Sequence, residues 1–173
     1  MQGGKLADRE RNNELIGRLA AGYLKLSQFS GFDLIKLELE STTKDEVLHE
    51  LAELLAKSPN VEDPESAYRA LKEREDLAST GMGLGVAVPH GRDEKCKALT
   101  IAFGRSTKGI DFDAYDGQPV HLFFAVLVPV SSIHLHLQVL ASLSLLLRQE
   151  EYREKLMKAQ FPQEVLEILS GEE

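Results

Sequence analysis

A chain of 173 residues, 43% hydrophobic and 28% charged, suits one globular domain and is too short for two full ones; a disordered chain or fibrous repeat does not fit. Its formal charge of −8 argues against nucleic acid, whose phosphates are bound through Lys and Arg. The single cysteine, Cys96, can form neither an internal disulfide nor a multi-cysteine zinc site, and the N-terminus has no apolar signal core, so the expected location is cytoplasmic.

The first predicted element is an amphipathic helix over residues 6–24, with Leu15, Leu19 and Tyr23 on one stripe and Ile16, Ala20 and Leu24 beside it. We read residues 1–28 as an N-terminal helical extension and 29–173 as the domain. Ile35, Leu37 and Leu39 alternate with Lys36, Glu38 and Glu40, the period-two pattern of a strand with one buried face. Thr43 and Glu46 fit a capping box that opens a helix with Val47, Leu48, Leu51, Leu54 and Leu55 on its apolar face, ended by SPN at 58–60. Asp63 and Pro64 then suit the N-cap and first position of a second helix reaching about Glu75. Ala67, Leu71 and Tyr68 face inward there, and Arg74 stands in the last turn.

Residues 85–88 form a short apolar run, and 98–104 and 119–128 are longer predicted strands separated by the turn-rich DFDAYDGQP. Residues 120–147 are apolar but interrupted by Pro129, Ser131, Ser132, His134, His136 and Gln138. A membrane helix wants roughly 20 consecutive apolar residues, so this stretch predicts a buried strand, a turn and a helix. Ser131 or Ser132 would cap that helix, which runs to about Arg148 with an inner stripe of His136, Leu140, Leu143 and Leu147. Two shorter helices, around 150–159 and 162–169, finish the chain, with Pro162 at the first position of the last.

The segment GMGLGVAVPHGR, residues 81–92, is the most restricted in the chain. Its glycines invite a phosphate-loop reading, but no Gly-Lys-Ser/Thr follows, and a dinucleotide fingerprint would need glycine where Val86 stands. The glycines instead predict a turn leading into His90. Pro89 fixes one backbone angle and Gly91 removes bulk after the histidine, so the imidazole can be held rigidly yet remain open. An ordinary pKa near ~6.5 leaves a neutral ring nitrogen for nucleophilic or acid–base work, while an exposed turn histidine fits the same local pattern. His136, at the start of a helix, could bond a phosphoryl oxygen or be a neutral histidine packed at the helix entry. His134, His121 and His49 are assigned no chemistry. A metal site from His90, His134 and His136 is the rival reading, but the spacing of the last two suits a strand better than the predicted helix, and no cysteine is near.

The stretches REDLASTGMGLGVAVPHGR, GIDFDAYDGQPVHLFFAVLVP and HLQVLASLSLLL together resemble the phosphotransferase-system enzyme IIA domains of the fructose and mannitol class, including the nitrogen-regulatory branch. The resemblance covers about residues 30–170. It implies an α/β domain with a mixed central sheet flanked by helices, and no metal or cofactor. It puts the family's phosphorylated histidine on His90, which would accept a phosphoryl group from phosphohistidine on HPr and pass it to an enzyme IIB cysteine. A second family histidine matches His136, and the arginine before Glu matches Arg74; by the same resemblance these two would stabilise the phosphoryl oxygens. The implied partners are a phosphorylated HPr-type carrier and an enzyme IIB or regulated target proteins, without nucleic acid or direct membrane insertion. GIDFDAYDGQPVHLFF is similar to the nitrogen-regulatory branch, which favours regulation over sugar uptake, and we expect no IIB or membrane IIC segment in the chain. The competing class is a non-catalytic binding module of the same fold that controls another protein through a surface around His90.

Overall fold

The computed structural model describes Arg9 and residues 24–171, so the helix predicted over residues 6–24 lies outside the described residues except for Arg9 and its last position. Local capping chemistry sets the first two helices. Helix α1 (Lys44–Leu55) starts at Thr43, whose Oγ1 accepts from the Glu46 N–H at 3.3 Å; the Glu46 carboxylate reaches back to the Thr42 N–H instead of that of Thr43. Helix α2 (Pro64–Leu77) starts at Asp63, which accepts from the N–H groups of Glu65 and Ser66, with Pro64 in the first turn. It runs two residues beyond Glu75.

Six strands form one mixed sheet: β1 (Ile35–Lys36), β2 (Gly81–Gly83), β3 (Val86–Ala87), β4 (His90–Arg92), β5 (Thr100–Ile110) and β6 (Val120–Val128). The order is β1-β5-β6-β3-β2, and β4 pairs with β6 further along from β3. β5 and β6 are antiparallel, as are β2 and β3, whereas β1 runs parallel to β5, and β3 and β4 run parallel to β6. Helices α3 (Ile133–Leu147), α4 (Glu150–Lys158) and α5 (Pro162–Ser170) follow β6. Successive side chains of β6 enter different layers, as a strand buried on both faces requires. Leu122, Phe124 and Val126 pack with Val139 and Leu143 of α3, Leu156 of α4 and Val165 of α5. Phe123, Ala125 and Leu127 pack with Leu48 and Leu51 of α1 and Leu71 of α2. The result is the expected α/β fold, with helices on both faces of the sheet.

Four details depart from the sequence reading. The alternation over 35–40 predicts a longer strand than β1, which keeps only Ile35 and Lys36 in register. Its polar residues answer to specific partners: Lys36 pairs with Glu50 of α1 at 2.6 Å, and Glu38 accepts from the Thr107 backbone and hydroxyl. β5 continues past residue 104 to Ile110, because Ser106 is buried and its neighbour Thr107 is held by Glu38. On α3, Val139 and Leu146 join the buried stripe, while Leu140 is half-buried, and Ser132 sits at the N-cap without bonding the helix through its side chain. Ahead of β1, Leu26 in a 3-10 turn (Leu26–Phe29) is 0% exposed and belongs to the same apolar layer as α3, so core packing begins before residue 29. Among the described residues no helix is long and apolar enough to cross a membrane.

Candidate functional site

The glycine-rich segment forms a hairpin. β2 and β3 pair antiparallel, and the link between them places Gly83, Leu84 and Gly85 at φ of 85°, 61° and 76°, the left-handed region that favours glycine. The chain then passes Val88 and Pro89 and enters β4, where His90, Gly91 and Arg92 lie opposite Val126, Leu127 and Val128 of β6. The sequence reads this histidine as part of a turn; it stands in a short parallel strand. Strand geometry alternates side chains, so Gly91 faces one way and His90 and Arg92 the other. Gly91 lies against α2 so closely that a Cβ there would be 2.6 Å from the Ala70 carbonyl oxygen.

His90 Nδ1 lies 2.8 Å from the Val88 carbonyl oxygen. A carbonyl only accepts, so Nδ1 carries the proton and Nε2 holds the lone pair. His136, near the start of α3, brings its ring centroid to 5.3 Å from that of His90 with the planes at 70°. It is 6% exposed, and its Nε2 is buried without a hydrogen-bond partner among the described residues. Burial, followed by the nearby His90 and Arg92, pushes the His136 pKa down to about 4. Burial also lowers that of His90, aided by Arg74 and opposed by the Val88 bond. Both rings are therefore neutral at pH 7.

Arg74, in the last turn of α2, donates from Nη1 to the Ala78 carbonyl at 3.0 Å. It borders a cavity of about 520 Å³ together with Glu73, His90, Arg92, His136 and Leu137. A smaller depression of about 250 Å³ is lined by Arg74, Thr80, Met82, His90 and Leu140. The three residues singled out in the sequence thus share one concavity, between α2 on one wall and α3 on the other.

Both ends of α2 are fastened to the segments that carry the site. At its start, Ser66 donates to the buried Asp93, which follows β4, at 2.7 Å. At its end, the buried Glu75 accepts from the Thr80 N–H and hydroxyl at 3.0 and 2.6 Å, and Lys44 of α1 pairs with it at 3.0 Å. Sequence reasoning passed over Glu75, Thr80, Lys44, Asp93 and Arg92. Only Arg92 left a usable signal: its place two residues after His90, once β4 is recognised as a strand.

The remaining candidates stay apart. His134 is exposed, His121 Nδ1 is bound to the Ser106 carbonyl at 2.9 Å, and His49 stacks on Tyr68. The Cys96 thiol is buried, and its pKa is pushed up to about 11 by that burial, which withholds the thiolate. Among the described residues no three His, Cys, Asp or Glu side chains gather as a metal site.

Against known proteins, the family model described as "Phosphoenolpyruvate-dependent sugar phosphotransferase system, EIIA 2" matches residues 30–172. A curated relative from Haloferax volcanii, the "PTS system fructose-specific EIIA component", is 40% identical over 145 residues, covering 84% of this chain and 94% of its own. The crystal structure of nitrogen regulatory protein IIA-Ntr from Neisseria meningitidis superposes with a TM-score of 0.77 at 38% identity, covering 83% of this chain and 97% of that one. Enzyme IIA mannitol from Escherichia coli, solved in complex with phosphorylated enzyme IIB mannitol, superposes with a TM-score of 0.70 at 29% identity, covering 82% of this chain and 96% of that one.

Proposed function

Because this chain belongs to the EIIA type-2 family of the phosphoenolpyruvate-dependent sugar phosphotransferase system, we propose that it is a cytoplasmic phosphocarrier whose His90 takes a phosphoryl group from phosphohistidine on an HPr-type protein. The observation that carries this reading is the pairing of His90 Nδ1 with the Val88 carbonyl, which leaves Nε2 as the nucleophilic nitrogen beside an open cavity. The Nε2 lone pair attacks phosphorus as the P–N bond of the donor breaks, and the donor imidazole leaves with that electron pair. The positive charge gained by the His90 ring is shared with Nδ1–H, which the Val88 carbonyl receives.

Transfer of this kind asks the protein chiefly to align the two nitrogens and to stabilise charge on the three equatorial oxygens. Arg74 supplies guanidinium N–H donors, and a neutral His136 supplies one donor without repelling the incoming ring. In the onward step a partner cysteine thiolate attacks phosphorus and His90 recovers its electron pair. An enzyme IIB is the acceptor we propose, on the strength of the mannitol IIA–IIB complex. A regulatory outlet, in which targets distinguish the phosphorylated from the free protein, uses the same chemistry and is favoured by the likeness to IIA-Ntr.

Incubation with phosphoenolpyruvate, enzyme I and HPr should give an acid-labile, alkali-stable label that is missing from His90→Ala. Adding a fructose-class IIB should then strip the label if the outlet is sugar uptake, and leave it in place if the outlet is regulation. Full labelling of His90→Ala, or an acid-stable label, would contradict the reading.

A further inference from the structure

We propose that Arg92 is a second guanidinium of the phosphoryl site, binding the phosphate once it is on His90 and holding it as the dianion. The proposal rests on the reading of His90 as the phosphorylated residue. Four observations lead to it. First, His90 and Arg92 are separated by one residue of β4 and so leave the strand on the same side, their Cα atoms about 6.6 Å apart at about 3.3 Å per residue. The other side is closed by the Ala70 backbone against Gly91. Second, Arg92 and His90 line the same cavity as Arg74 and His136.

Third, the Arg92 guanidinium is exposed and makes no hydrogen bond or ion pair among the described residues. Arg74, by contrast, already spends one N–H on the Ala78 carbonyl, and Glu73, the carboxylate among the cavity's described lining residues, forms no ion pair with Arg92. Fourth, the neighbouring His136 holds a buried, unpartnered Nε2 and feels the charge of Arg92. A wall with two cations, one of them uncommitted, and an unsatisfied imidazole nitrogen matches a group with two negative charges and three acceptor oxygens. The planar fork of arginine can take two of those oxygens at once.

The charged and ionisable groups facing this position are Arg74, Glu73 and the buried Glu75 from α2, Arg92 from β4 and His136 from α3. Arg92→Gln alters one of them. Wild type, Arg92→Gln and Arg92→Lys would be phosphorylated with phosphoramidate, a small donor that needs no partner protein: its P–N bond breaks, ammonia leaves and the new bond forms to the imidazole. The phosphoryl ionisation is then titrated by ³¹P NMR, with ¹⁵N ring resonances separating the titration of the imidazole itself. A cation in contact with the phosphate favours the dianion, so Arg92→Gln should raise the phosphoryl pKa by about half a unit or more, with Arg92→Lys between it and wild type. Thermal midpoints should agree, since Arg92 is exposed. An Arg92→Gln titration that overlays wild type overturns the proposal even if partner affinity changes. A wild-type protein that takes no phosphoryl group on His90 overturns this proposal and the phosphocarrier reading together.

Discussion

Two neutral imidazoles side by side would let the pocket receive the imidazole of the proposed phosphoryl donor without a charge clash. His136 bears the cost of this arrangement. Its pKa, lowered to about 4 in the folded protein, lies below the ~6.5 of an unfolded imidazole, so between those values the unfolded chain binds the extra proton. The contribution of His136 to stability is therefore complete above about pH 6.5 and fades as pH falls towards 4. Urea denaturation from pH 7.5 to 4.5 should show wild type losing more stability than His136→Gln, whose amide stays neutral throughout; parallel losses would contradict the depressed pKa. The same burial lowers the pKa of His90, which favours its neutral ring.

At the level of elements, β4 depends on close contact with α2. Gly91→Ala would bring a methyl group to 2.6 Å from the Ala70 carbonyl oxygen, and backbone on both sides leaves little room to yield. The variant should be destabilised by about 1–3 kcal/mol, as overpacked sites commonly are, and should label more slowly per folded molecule because His90 is carried on the same three residues. Calorimetry combined with labelling rates checks both; a variant with wild-type stability and rate would show that β4 tolerates a shift. How far such elements can be read in advance depends on where their partners lie. Helices α1, α2 and α5 were legible because Thr43, Asp63, Pro64 and Pro162 act within a few residues of themselves. The strand identity of β4 was hidden, since Pro89 and Gly91 are turn residues by local preference and the pairing that overrides them comes from Val126–Val128. The Glu75–Thr80 clamp was hidden for a similar reason: nothing in the sequence says that Glu75 is buried. His90, His136 and Arg74 were individually visible, but their common cavity depends on α2 and α3 standing on either side of β4.

Across the whole molecule, the site lies where the two helical layers meet. Arg74 comes from the helix packed on one face of the sheet and His136 from the helix packed on the other, so neither layer alone makes the pocket. Apolar side chains border it, including Leu77 at 80% exposure and Leu137 at 61%, and would give the proposed carrier a modest surface for brief contacts with a partner. The fold's dependence on residues ahead of the family match can be measured by truncation. Deleting residues 1–23 should leave labelling close to wild type, whereas deleting 1–29 also removes the fully buried Leu26 and should cost about 2–5 kcal/mol more in stability, the range for emptying a buried leucine position. Equal stability of the two truncations would mean that Leu26 is not part of the working core. The central claim is that the phosphoryl group enters this seam on one particular atom, and the most direct measurement is ¹⁵N–³¹P coupling in histidine-labelled protein phosphorylated through HPr. The account predicts a single phosphohistidine, His90, bonded to phosphorus through Nε2 with Nδ1 still protonated towards Val88; phosphorus on Nδ1, or on any other residue, would contradict it.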